Sequence, residues 1–141
     1  MINLYIFSNK SRGGLYGVGT YIRELITALR SKNNSIHIHV VHILCDQLQI
    51  EKKEVKDVSY WYFPEPISKE WNLLDQEQRK VYSRNIVYLL RNYIQDQKNL
   101  VFHLNSYRDK SLALELKIAF DCKVITAVSY THLRAHETLR H

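Results

Sequence analysis

Apolar positions recur along the chain with two different periods. Residues 2–7 are mainly apolar and β-prone, long enough for a strand covered on both faces. A polar stretch from Ser8 to Arg12 follows. From Val18 the apolar residues Val18, Ile22, Leu25, Ile26 and Leu29 fall at the i, i+4, i+7, i+8, i+11 spacing of an amphipathic helix, which Lys32-Asn33-Asn34-Ser35 ends. Residues 36–44 predict a second strand, with His37 and His39 on one face and Ile36, Ile38 and Val40 on the other. Residues 46–57 are polar and predict a surface excursion. The β-prone run Val58-Ser59-Tyr60-Trp61-Tyr62-Phe63 is stopped by Pro64 and Pro66, a short strand near an edge. Asp75 to about Gln97 carries the clearest helical pattern, through Tyr82, Ile86, Leu89, Leu90 and Tyr93. Residues 100–104 predict a strand. Residues 112–120 fit both periods, and their Ala, Leu, Glu and Lys content favours a helix. Residues 123–128 predict the last strand. Strands alternating with helices imply right-handed crossovers, and so a Rossmann-like α/β fold: a mostly parallel sheet with helices on both faces.

Composition narrows the class. At 141 residues, 45% hydrophobic and 24% charged, the chain is expected to be one ordinary globular domain. No apolar run approaches the ~20 residues of a membrane span, and the first seven residues lack a basic region and a small-residue cleavage site, so the expected compartment is the cytoplasm. Cys45 and Cys122 have no metal-like spacing and are expected to be unpaired. The net charge of +6 is dispersed, with +3, +1 and +2 over residues 1–50, 51–100 and 101–141. Interleaved signs at Glu51, Lys52, Lys53, Glu54, Lys56 and Asp57 describe a solvated face rather than a stripe that tracks phosphates, so no nucleic-acid partner is expected.

Candidate chemistry concentrates between the first strand and the first helix, where all four glycines lie: Gly13, Gly14, Gly17 and Gly19. In an open α/β sheet this is where ligands bind, beyond the carboxyl ends of the strands. Glycines there let backbone N–H groups approach an anion with no Cβ in the way, and the helix dipole adds to the attraction. A phosphate or diphosphate is the implied ligand. The P-loop pattern fails because no lysine stands between Gly19 and Thr20. The dinucleotide fingerprint fits at Gly17 and Gly19 but places Ile22 where helix packing wants Gly or Ala, and no acid closes the second strand before Asp46. A glycine turn that merely joins strand to helix is the plainer alternative.

The run Asn9-Lys10-Ser11-Arg12-Gly13-Gly14-Leu15-Tyr16-Gly17-Val18-Gly19-Thr20-Tyr21-Ile22-Arg23-Glu24-Leu25 resembles the opening of glycosyltransferase family 4 proteins of the GT-B fold, whose first strand is followed by a G-G-x-G-type loop. The resemblance covers most of residues 1–128; the glycine loop is its specific part and the rest agrees in element order. It implies two Rossmann-like domains facing across a cleft, with this chain the acceptor-side N-terminal one. It also implies a nucleotide-sugar donor and a glycan or lipid-linked acceptor in surface polysaccharide synthesis, while the mild excess of bases would suit anionic substrates or peripheral contact with the anionic inner membrane surface. Transfer would proceed with retention at the anomeric carbon, without a metal or other cofactor. Gly14, Gly17, Val18 and Gly19 would abut the donor diphosphate and transferred sugar, with Gly13 in the same loop. His103 and Asn105, at the carboxyl end of a predicted strand, match a place where the family often has a histidine; a plain strand-end histidine is the alternative. The donor domain lies outside this chain, so no transfer by the chain alone is expected, and the catalytic residues are left unassigned.

Other motifs carry less. His37, His39 and His42 lack Cys, Asp or Glu partners at ligand spacing, so no metal is expected, and the aromatic cluster at Trp61 is expected in the core or at a sheet edge. His132 and His136 are spaced as on a zinc-binding helix face. However, Ser129-Tyr130-Thr131-His132-Leu133-Arg134-Ala135-His136-Glu137-Thr138 resembles translated sequencing-adapter read-through, so residues 129–141 are expected to be a non-native tail. A single-domain, non-catalytic binder of a phosphorylated small molecule or dinucleotide is the alternative function.

Overall fold

A computed structural model describes residues 1–9, 17–32, 35–45, 48–64, 74–95, 97–104 and 110–126. The elements are β1 (Ile2–Asn9), α1 (Gly17–Lys32), β2 (Ile36–Cys45), β3 (Glu51–Val55), β4 (Val58–Pro64), α2 (Gln76–Tyr93), β5 (Leu100–Leu104), α3 (Lys110–Phe120) and β6 (Lys123–Thr126). The six strands form one sheet in the order β3-β4-β2-β1-β5-β6. Every pairing is parallel except the β3/β4 hairpin at the edge. Rossmann-like α/β architecture is thus realised, mostly parallel and covered on both faces.

The two faces explain why the central strands read as unbroken apolar runs: residues of either parity are buried. Leu4, Ile6, Ile38, Val40 and Val58 pack with Ile22 of α1, supported by Leu25, Ile26 and Leu29. On the other face Tyr5, Phe7, Val41, Trp61, Phe63, Phe102 and Leu104 meet α2 through Ile86, Val87, Leu90 and Ile94, and α3 through Leu112, Leu116 and Phe120. Trp61, 5% exposed, belongs to this core, as the aromatic β-propensity of its strand suggested. Arg84 of α2 reaches Glu115 of α3 at 3.2 Å across the top of the helix pair.

Two local features depart from the sequence expectation. Within the expected surface excursion, residues 51–55 form β3, a strand exposed along its whole length. It is joined to β4 by a two-residue turn in which Lys56 (φ 50°) and Asp57 (φ 68°) both adopt the left-handed conformation that such tight hairpins require. Neither is the Gly or Asn that usually announces the turn, and an outer strand with four charged residues of five and no buried position has no face to impose alternation. The charges of Lys52, Lys53 and Glu54 instead blunt an open sheet edge. The second departure is an irregularity of register between His42 and Cys45, where Leu44 (φ 59°) turns its side chain onto the same face as Ile43. The Tyr82 hydroxyl spans this bend, accepting from the Leu44 N–H at 3.1 Å and donating to the Pro64 carbonyl at 2.6 Å.

Candidate functional site

Topology singles out one place on the sheet. From β1 the chain moves through α1 to β2 on one side, then on to β4. Through α2 it returns past both strands to β5 on the opposite side of β1. The helices that follow β1 and β5, α1 and α3, pack on opposite faces of the sheet, which makes β1/β5 the switch point outside which sheets of this kind hold ligands in a crevice.

One wall of the crevice is the start of α1. Gly17 and Gly19, with Val18 between them, belong to the first turn of the helix, so this part of the glycine cluster is helical. The leading N–H groups of a helix have no partner within it. No acidic side chain stands in this first turn, whereas Arg30 and Lys32 end the helix. The positive end of the dipole is therefore not offset by its own residues, an arrangement that attracts anions. Gly13, Gly14 and Asn105 lie outside the described residues.

The other wall carries His103. It is the penultimate residue of β5, in register with Ile6 of β1 and Ile125 of β6. Its side chain points to the α1 face and the residue is 7% exposed. Burial removes water from the imidazolium form and holds the pKa below the usual histidine range, so the ring is neutral near pH 7. From α1, Tyr21 meets it edge-on, with ring centroids 5.9 Å apart and planes at 80°. The Tyr21 hydroxyl lies 3.5 Å from His103 Nε2. The structure thus brings the first turns of α1 and His103 to one rim. Tyr21 was not singled out from sequence; its only signal is its position just before Ile22, the residue that seats the helix on the sheet.

A neutral imidazole offers one donor and one acceptor, and the helix start offers N–H groups and positive potential. Together they suit a ligand that bears anionic oxygens and hydroxyls.

The remaining histidines do different work. His39 is buried mid-strand on the opposite face of the sheet from His103, stacked on Tyr5 with centroids 4.1 Å apart. Trp61 Nε1 donates to its Nδ1 at 3.3 Å, which places the proton on Nε2, facing Asn3 Oδ1 at 3.3 Å. Burial, then the neighbouring His37, then Lys52 depress its pKa to about 3. Both ring nitrogens are engaged. His37 pairs with Ser59, and His42 lies on the other face of β2, stacked on Tyr62. Three histidines divided between two faces do not make one ligand set, and among the described residues no cluster of three His, Cys, Asp or Glu is arranged for a metal ion. A shallow cleft at the amino ends of the strands mixes Arg30 with Glu54 and Asp57, presenting no single sign of charge. His132, His136 and the rest of residues 129–141 lie outside the described residues. Among the described residues, no helix is long and apolar enough to cross a membrane.

Strand order completes the class. With the edge strand β3 set aside, the parallel strands stand third, second, first, fourth, fifth, which is the Rossmann-like order with its switch point between β1 and β5. No family model and no curated protein sequence matches the chain. Among solved structures it is similar to apo OtsA, trehalose-6-phosphate synthase, a GT-B glycosyltransferase, with a TM-score of 0.57 and 11% identity. The match covers 99% of this chain and 37% of that one, so the chain spans just over a third of the length of OtsA. At this identity the likeness is one of fold.

Proposed function

We propose that residues 1–128 are the acceptor-side Rossmann-like unit of a GT-B glycosyltransferase of the family 4 type, and that residues 129–141 are a non-native tail. The observation that carries this reading is the contact of α1 with His103 through Tyr21 at the switch point, where a neutral imidazole lies beside a helix whose first turn holds no acidic residue. The fold likeness to OtsA, a GT-B glycosyltransferase, supports the same class.

The parent enzyme would move a sugar from a nucleotide donor to a glycan or lipid-linked acceptor at the inner membrane surface, in the cytoplasm, for surface polysaccharide. It would do so with retention and without a metal. Gly13, Gly14, Gly17, Val18 and Gly19 would face the donor diphosphate and sugar, with His103 and Asn105 beside the reacting groups. Because most donor contacts belong to a second unit across the cleft, the chain alone binds a sugar nucleotide weakly and does not turn it over. Calorimetry with uridine diphosphate glucose tests this. Binding weaker than micromolar, with no hydrolysis or transfer, is expected. Submicromolar binding would favour a self-sufficient binder of phosphorylated ligands, and turnover would contradict the half-enzyme reading.

A further inference from the structure

We propose that Tyr21 is a positioning residue that selects the tautomer of His103 and so decides which hydrogen-bonding group the rim presents. Two geometric facts support this. The Tyr21 hydroxyl lies 3.5 Å from Nε2, and the edge-on approach of the two rings at 80° sets the imidazole plane. Among the described residues, no other hydrogen bond reaches the His103 ring. Since burial keeps that ring neutral, it carries one proton, on Nδ1 or on Nε2.

The phenol decides between them. A phenol is the better donor of the pair and a neutral imidazole nitrogen the better acceptor, so the hydroxyl donates to Nε2. The ring proton then resides on Nδ1, leaving an N–H donor. A donor on the rim is matched to a ligand oxygen, whether a sugar hydroxyl or a phosphate oxygen. With the opposite tautomer the rim would show a lone pair that repels an anionic oxygen. Tyr21 is 41% exposed, so it acts from the edge of the site rather than from the core. Naming the oxygen-bearing ligand rests on the glycosyltransferase reading; the tautomer does not.

The test is two-bond nitrogen–proton correlation spectroscopy of the uniformly nitrogen-15-labelled 141-residue chain, without ligand. His103→Gln identifies the His103 signals by their loss. The expected pattern is protonated Nδ1 and unprotonated Nε2 in the native chain. Tyr21→Phe, which keeps the ring contact and removes only the hydroxyl, is expected to shift the tautomer ratio towards Nε2–H about fivefold, the ratio set by a hydrogen bond of ordinary net strength. It should also raise the His103 pKa, because the lost bond favours the neutral ring. A native chain with the proton on Nε2, or a variant whose tautomer and titration match the native chain, would overturn the assignment. An amide spectrum of Tyr21→Phe that keeps native dispersion separates this outcome from misfolding. A failure of sugar-nucleotide binding with the Nδ1–H tautomer intact would count against the glycosyltransferase reading alone.

Discussion

His39 shows how a single side chain ties stability to pH. Its Nδ1 accepts from Trp61 and its Nε2–H faces Asn3, so protonation would replace an acceptor with a second donor aimed at an indole N–H. Burial, His37 and Lys52 all oppose the charge, and the pKa falls from 6.5 to about 3. Below pH 6.5 the unfolded chain takes up a proton that the folded chain refuses. The stabilising difference is therefore full above pH 6.5 and is lost as pH falls towards about 3, a loss on the order of a few kcal/mol. His103, with its pKa lowered by burial, acts in the same direction. Urea unfolding at pH 7, 5.5 and 4 should show the midpoint falling step by step, and His39→Gln should flatten the slope. A midpoint independent of pH across that range would contradict the buried neutral ring. Nothing in the spacing of His37, His39 and His42 announces this, because spacing gives the face of the strand but not the Trp61 and Asn3 partners that cross from other strands.

Elements depend on a few side chains that tie their ends. Tyr82 of α2 satisfies the Leu44 N–H and the Pro64 carbonyl together, joining the bend in β2 to the end of β4. Leu44 holds a left-handed conformation that is unfavourable for a residue with a Cβ, and its bonded N–H helps to fix it. Tyr82→Phe leaves both backbone groups without this partner and should lower unfolding stability by about 1–3 kcal/mol, with the denaturant slope unchanged. A loss of a few tenths would mean that water replaces the hydroxyl at no cost. Sequence periodicity located Tyr82 on a helix correctly, since Tyr82, Ile86, Leu89, Leu90 and Tyr93 share a regular face. It was blind to β3, whose charged residues have no buried side and whose turn is built from Lys56 and Asp57 without a glycine.

At the scale of the molecule, the element order was legible because strands buried on both faces and helices buried on one leave different periods. The switch point was not, since it depends on β5 pairing beside β1 while β2 and β4 fill the other side, a long-range choice that leaves no local mark. The sequence already places the glycine cluster after β1 and His103 at the carboxyl end of β5, and the fold adds Tyr21, which joins α1 to His103. The rim at the carboxyl ends of β1 and β5 is the centre of the functional reading, and the opposite rim, near Met1, His37 and Asp57, is its natural control. The most direct measurement is amide chemical-shift mapping of the labelled chain titrated with uridine diphosphate glucose. Perturbations are predicted at Gly17, Val18, Gly19, Tyr21 and His103, with weak, saturable binding. Perturbations that gather at the opposite rim, or leave the first turn of α1 unmoved at saturation, would contradict the assignment of this rim as the sugar-nucleotide site.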